Sequence, residues 1–171
     1  MSESTTKEAA NVSPEMAAAV GREMTRKVSF PVSASDIRKW AIAVYYPQPA
    51  PERYLRGAAL IAPEEFNPFA WLAAESRSTG SADVEDNDPD RTEKSLGVPP
   101  PGLKFQLNGG MTVEYGASIR AGDVITSVGT LAGYHERAGR LGLMLITTFQ
   151  ESWTNQDGEH VKTSQTTLIR Y

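Results

Sequence analysis

Met111-Thr112-Val113-Glu114-Tyr115-Gly116-Ala117-Ser118-Ile119 alternates apolar with small or polar residues. A period of two marks a strand with one buried face. Arg120-Ala121-Gly122-Asp123 follows, and Gly122 can take the positive φ that a tight turn needs. Toward the C-terminus, Val124 to Tyr134 is a second extended run, and His135 to Gly139 reads as the next turn. Leu141 to Trp153 is a third run, apolar on both faces around Leu143, Met144, Leu145 and Ile146. That pattern predicts a central strand covered on two sides. Asn155-Gln156-Asp157-Gly158 carries hairpin chemistry, because Asp-Gly matches the twist of paired strands. Val161 to Tyr171 is the last run. The stretch from Gln106 to Tyr171 thus predicts a four-stranded antiparallel meander, and the residues before it must supply the other layer of the core.

Upstream, Ser13-Pro14-Glu15 has the order of a helix cap, a first-turn proline and a first-turn acid. Met16, Ala19 and Val20 share one face, and Gly21 ends the helix. Lys27 to Val32 predicts a short strand, with Val28, Phe30 and Val32 alternating inward. Ser33 caps a second helix, whose apolar stripe is Ile37, Trp40, Ala41 and Val44. Pro47, Pro49 and Pro51 terminate it. A third, strongly apolar helix is predicted in Pro63 to Ala74, starting at Asn67 with Pro68 in its first turn or kinked there. Phe66, Phe69, Ala70 and Ala73 share one side, flanked by Trp71 and Leu72. From Ser76 to Gly102 the composition turns acidic and proline-rich, which predicts an insertion loop. The fold class is α+β. Residues 1–25 form a tail with a short helix, and 26–171 form a single domain with the insertion at 76–102.

Composition narrows the function. At 171 residues and 40% hydrophobic content the chain is the size of one domain with a core that needs no staples. A formal charge of −4 argues against nucleic acid or an anionic membrane as partner. The absence of cysteine excludes disulfides, thiolate nucleophiles and cysteine-based metal sites. No apolar run approaches the length of a bilayer span, and Met1 to Ala10 lacks a signal-peptide core. The cytoplasm is the expected location.

No self-contained catalytic set emerges. Asp86-Asn87-Asp88-Pro89-Asp90 suggests a calcium loop, but the position that needs Gly is Arg91 and the one that needs Glu is Gly97. It reads as a solvated charge run, and no metal is expected. His135 and His160 fall at turns or strand ends, and the adjacent Glu136 points to the opposite face from His135. No nucleophile elbow or phosphate loop is present. Arg137 and Arg140 flank a hairpin and read as solvated.

Several phrases resemble the MaoC-like dehydratases, in the N-terminal, FAS1-like dehydratase form of the hot-dog fold. These are Leu107-Asn108-Gly109-Gly110 before Val113-Glu114-Tyr115, then Ile119 to Ile125, Trp153 to Glu159 and Thr166 to Arg170. The resemblance spans Val28 to Tyr171. It implies an antiparallel sheet wrapped around one long apolar helix, and an activity that hydrates enoyl thioesters or dehydrates 3-hydroxyacyl thioesters. Coenzyme A or acyl carrier protein comes with the substrate, and no cofactor is implied. The family's catalytic half carries Gly-Asp-x-Asn-Pro-x-His just after its first helix, general acid–base machinery that must face the substrate. Here that place is Ala43-Val44-Tyr45-Tyr46-Pro47-Gln48-Pro49, with neither Asp nor His, so no catalytic residue is assigned. The resemblance implies a non-catalytic, acyl-binding subunit. It would pair with a catalytic MaoC-like hot dog, as a heterodimer or dimer of heterodimers, or with itself. The expected tunnel lining comes from Trp40 to Tyr46 and from Phe66 to Leu72, with Trp40, Tyr45, Tyr46, Phe66, Phe69 and Trp71 as its main side chains and Gly109 and Gly110 leaving room for substrate. Two alternatives stay open. One is a hot-dog thioesterase, for which Glu64, Glu65 and Glu75 are the candidate acids; the other is a non-enzymatic acyl-CoA-binding domain.

Overall fold

The computed structural model describes residues 10–57, 60–72, 88–140 and 142–171. Five strands form one antiparallel sheet: β1 Glu23–Val28, β2 Gln106–Tyr115, β3 Thr126–Gly139, β4 Gly142–Thr154 and β5 His160–Arg170. The order across it is β1-β3-β4-β5-β2. Only β3, β4 and β5 are therefore a meander; β2 crosses to the far edge and pairs with β5. The four-strand meander is corrected on this point. Alternation along a strand reports which face is buried, and it carries no information about which neighbour is chosen.

Three boundaries also move. His135 to Gly139 is strand rather than turn, paired with Ile146 through Gly142. Pairing continues because each residue of this arm finds a partner on β4, and the chain reverses only beyond Gly139. β1 begins at Glu23, ahead of the expected Lys27, and pairs with β3. It runs through the 25/26 position at which the sequence reading divided tail from domain. Val28 and Phe30 are exposed, and of the expected inward trio only Val32 is buried. β2 starts at Gln106 and stops at Tyr115, with Met111 exposed and Ile119 buried beyond the strand's end.

One face of the sheet is buried, and the registers bring its residues into rows. Trp153 lies opposite Ser127, Thr147 opposite Tyr134, and Leu145 opposite Arg170. The other face of β4, with Met144, Ile146 and Thr148, is half-buried. β4 is central but fully covered on one side only, which corrects the two-sided reading.

Helix α1, Pro14–Ala18, has Ser13 as its cap; the Ser13 Oγ accepts from Met16 N at 3.1 Å. It buries Met16 and sets Ala19 against Leu131 and Leu96. Helix α2, Ala34–Tyr45, is capped by Ser33, whose Oγ accepts from Asp36 N at 3.0 Å. Ile37 and Ala41 are fully buried, while Val44, expected on the same stripe, is exposed. Asn67 caps the third helix, as one of the two expected readings has it. Phe66 N donates to Pro63 O, Asn67 Oδ1 accepts from Phe69 N, and the backbone is helical at 70–72. Its predicted continuation, Ala73 and Ala74 included, lies outside the described residues. Phe66 and Phe69 join Ile37, Ile119, Ile125, Trp153 and Val161 in the main core.

The acidic stretch is the largest departure. Its part from Ser76 to Asn87 lies outside the described residues, but from Asp88 onward the chain is folded. Helix α3, Arg91–Leu96, packs against the sheet with Glu93 and Leu96 buried. Asp90 is buried too, its carboxylate accepting from Gly102 N and Leu103 N. These carboxylates are structural, not solvated.

Gly116 marks the point where β2 leaves β5. A Cβ there would lie 2.3 Å from the His160 carbonyl oxygen, closer than any real contact. Gly116→Ala is expected to cost about 1–3 kcal/mol by forcing these backbones apart. Chemical denaturation checks this, and Gly158→Ala, where the added atom meets nothing, is not a substitute because its φ is +80°.

Candidate functional site

The second stripe of α2 faces a cavity of about 710 Å³. Asp36, Lys39, Trp40 and Ala43 recur at i, i+3, i+4 and i+7, the spacing that lines one side of a helix. Phe66, Pro68, Ala70 and Trp71 also line it, as does the Phe30–Val32 stretch leading into α2. The wall is thus aromatic and aliphatic, with Asp36, Lys39 and Asn67 as its polar members. Trp40 meets Phe66 edge to face at 5.8 Å, an arrangement that the ring quadrupoles favour. Phe30 and Trp71 keep 54% and 59% of their surface exposed. Large aromatics left open at the rim of an apolar cleft are the pattern of a binding site.

Of the expected tunnel residues, the structure brings Trp40, Phe66 and Trp71 together on this cavity. Phe69 turns instead into the core, edge to face with Trp153 at 5.1 Å. Tyr45 packs on Tyr54 at 5.9 Å, and Tyr46 projects into solvent with 81% of its surface exposed. Gly109 and Gly110 lie on β2, away from the cavity. The room left by Gly109 is already used by β5, since a Cβ would sit 2.9 Å from Thr167 Cγ2. Gly110 occupies a register shift with φ +113°. These glycines serve strand packing and a bulge rather than cavity volume.

Sequence reasoning missed Phe30, Asp36 and Lys39 as wall residues, while Ala43 falls within the expected Trp40 to Tyr46 stretch. The signal existed: α2 has two stripes, and only the more apolar one was read. Ala43 is instructive, because it opens the stretch where the resemblance places a catalytic pair. That stretch reaches the cavity with a methyl group and no acid or base. Neither histidine contributes. His135 is exposed on β3, and His160 Nε2 sits 2.8 Å from Thr163 Oγ1. Among the described residues no cluster of His, Cys, Asp or Glu could hold a metal ion. No described helix is long and apolar enough to cross a membrane.

The candidate thioesterase acids are otherwise engaged or unplaced. Glu65 accepts a hydrogen bond from the Tyr115 hydroxyl. Burial and this carboxylate push Tyr115 up to about 12. Glu64 lines a separate pocket of about 50 Å³, and Glu75 lies outside the described residues.

A second polar cluster lies on the buried sheet face. Arg170 gives Glu93 two hydrogen bonds, at 2.7 and 2.8 Å, and both residues are 0% exposed. Arg170 also donates to Thr147 Oγ1 at 2.7 Å and Pro89 O at 2.6 Å, and the Tyr134 hydroxyl donates to Glu93 at 2.7 Å. Every contact is internal, so this is an anchor for α3 rather than a ligand site. The turn at Arg120–Asp123 and the hairpin at Asn155–Glu159 likewise lock one another. Val124 N donates to Gln156 Oε1 at 3.0 Å, and Gln156 Nε2 donates to Asp123 Oδ1 at 3.2 Å. The phrases that carried the resemblance are thus a structural bracket.

Comparison with known proteins agrees with this architecture. No curated protein sequence matches the chain. Among solved structures, the ChsH1-ChsH2 complex from Mycobacterium tuberculosis superposes with a TM-score of 0.53 at 16% identity, covering 92% of this chain and 87% of that one. A protein described as a MaoC-like dehydratase gives 0.52 at 22% identity, covering 90% of this chain and 42% of its own length. These likenesses show the hot-dog fold. The family model for the FAS1-like, dehydratase domain region matches residues 18–164. The chain belongs to that family.

Proposed function

We propose that this chain is the non-catalytic, acyl-binding hot-dog subunit of a hydratase or dehydratase that acts on enoyl or 3-hydroxyacyl thioesters. The observation that carries the reading is the end of α2. Where the family's catalytic half places Asp and His, this chain brings Ala43 to the wall of an apolar cavity and sends Tyr45 and Tyr46 elsewhere. Proton transfer at a substrate carbon needs a positioned acid and base within hydrogen-bond reach; with the family's Asp and His missing from this place, a partner that carries them would supply the chemistry. The sheet has a place for one. β2 is an edge strand, and Leu107 and Met111 on it keep 52% and 62% of their surface exposed. An open apolar edge of this length invites pairing with another sheet. The ChsH1-ChsH2 structure, a complex of two different chains, supports a heteromeric assembly for this fold. The thioester brings its own coenzyme A or carrier protein.

The test is an assay of trans-2-enoyl-CoA hydration, followed as loss of enoyl absorbance. The purified chain alone is expected to give no hydration. Adding a hot-dog subunit that carries Gly-Asp-x-Asn-Pro-x-His should co-purify with it and restore turnover. Hydration by the chain alone refutes the reading, and release of free thiol points to a thioesterase instead.

A further inference from the structure

The cavity has a direction. Along α2, its wall is polar at Asp36 and Lys39 and apolar at Trp40 and Ala43. The seven steps from Asp36 to Ala43 span about 10 Å of helix. Neither the Asp36 carboxylate nor the Lys39 ammonium has a hydrogen bond or ion pair among the described residues. The two groups stand one turn apart, an anionic acceptor beside a cationic donor at the rim of an apolar cleft. Arg38, between them in sequence, points away and donates to Leu55 O at 2.9 Å. An acceptor–donor pair of this kind matches an amide, which offers one N–H and one carbonyl. A free fatty acid offers no N–H to Asp36 and places a second anion beside it.

We infer that Asp36 and Lys39 hold the amide-bearing arm of an acyl pantetheine thioester, and that Trp40, Phe66 and Trp71 hold its acyl tail. This assignment rests on the acyl-binding reading above and adds the orientation of the ligand, arm toward the start of α2 and tail toward its middle. Asp36 and Lys39 are positioning residues: they fix where the thioester carbon lies relative to a partner's acid and base. The arm is common to coenzyme A and to carrier proteins.

Octanoyl-pantetheine, which carries the arm and no nucleotide phosphate, is the probe; binding is read from tryptophan fluorescence, since Trp40 and Trp71 line the cavity. Asp36→Asn and Lys39→Met are each expected to weaken it about tenfold, the worth of one charge-assisted hydrogen bond. Methyl octanoate, which lacks the arm, should bind both variants as it binds the parent chain. Trp71→Ala should weaken both ligands. If Trp71→Ala weakens octanoyl-pantetheine while both polar variants bind it normally, the orientation is overturned and the acyl-binding reading stands. If the parent chain binds no octanoyl-pantetheine, the assignment fails outright, and the hydration assay with the partner judges the assembly separately. Octanoyl-CoA and octanoyl carrier protein titrated in parallel distinguish the two sources of the arm. The natural source should bind more tightly than octanoyl-pantetheine, and a failure of both to compete with it counts against the site.

Discussion

Arg170→Met is expected to lower stability by about 3–5 kcal/mol, the usual consequence of leaving one member of a buried ion pair alone. The variant leaves the buried Glu93 carboxylate without its counter-charge, with the Tyr134 hydroxyl still donating to it, and removes donors from Thr147 and the Pro89 carbonyl. A urea titration reads the loss as a drop in midpoint at unchanged slope. Replacing both partners, as Glu93→Leu with Arg170→Met, should recover part of it, because no buried charge then remains. Recovery cannot be complete, since Tyr134 and Thr147 lose their partners too. A single variant as stable as the parent would show that α3 does not depend on this pair. The same pair sets an acid limit. Burial alone would raise the Glu93 pKa, but hydrogen bonds from Arg170 and Tyr134 outweigh it and hold it below 4.5. A depressed folded pKa gives stability that is complete above the unfolded value and disappears as pH falls through the folded one. Stability should therefore fall on acidification below about 4.5, and Glu93→Gln should flatten that limb.

Trp153→Ala should cost a similar amount, about 3–5 kcal/mol, as a large aromatic lost from a packed core. Trp153 joins the sheet to the segment that carries the cavity wall. Its ring meets Phe69 at 5.1 Å, and Lys162 Nζ lies 4.6 Å above it. Trp153→Phe separates volume from polarity. The indole Nε1 is buried without a hydrogen-bond partner, so phenylalanine forfeits no such bond and should cost less than alanine, with only the smaller lost ring volume to offset. Ligand binding should follow stability here. Phe69 and Phe66 are on one short stretch, and an unsupported Phe69 lets the cavity wall shift. A Trp153→Phe variant as damaged as Trp153→Ala would mean that the indole nitrogen matters after all.

What was legible in the sequence divides by the range of the interaction. Local chemistry was readable: Ser13 and Ser33 cap their helices as their positions imply, and Asp157-Gly158 closes the hairpin between β4 and β5. The family was readable from the Arg120–Asp123 turn and the Asn155–Glu159 hairpin, two local phrases that hold one another in the fold. Strand choice was not. Nothing in the alternation of Met111, Val113 and Tyr115 says that β2 will lie beside β5 rather than β3. The ion pair was also hidden, because Glu93 and Arg170 are 77 residues apart and each looks ordinary in its own stretch. A clue was present in Leu168-Ile169-Arg170, an arginine placed where a strand needs an inward residue. In the cavity, Trp40, Phe66 and Trp71 were found as apolar side chains, whereas Asp36 and Lys39 were not read as part of the wall.

Strand order has one more consequence. β5 is the last strand to be synthesised, and it lies between β4 and β2. Until it emerges, β2 has no neighbour on either side, and its glycines and exposed apolar residues wait as an open template. Nascent chains in that condition are the ones that chaperones protect. Productive synthesis of this protein should accordingly depend on shielding during translation, and supplying its companion at the same moment should raise the yield of native chain.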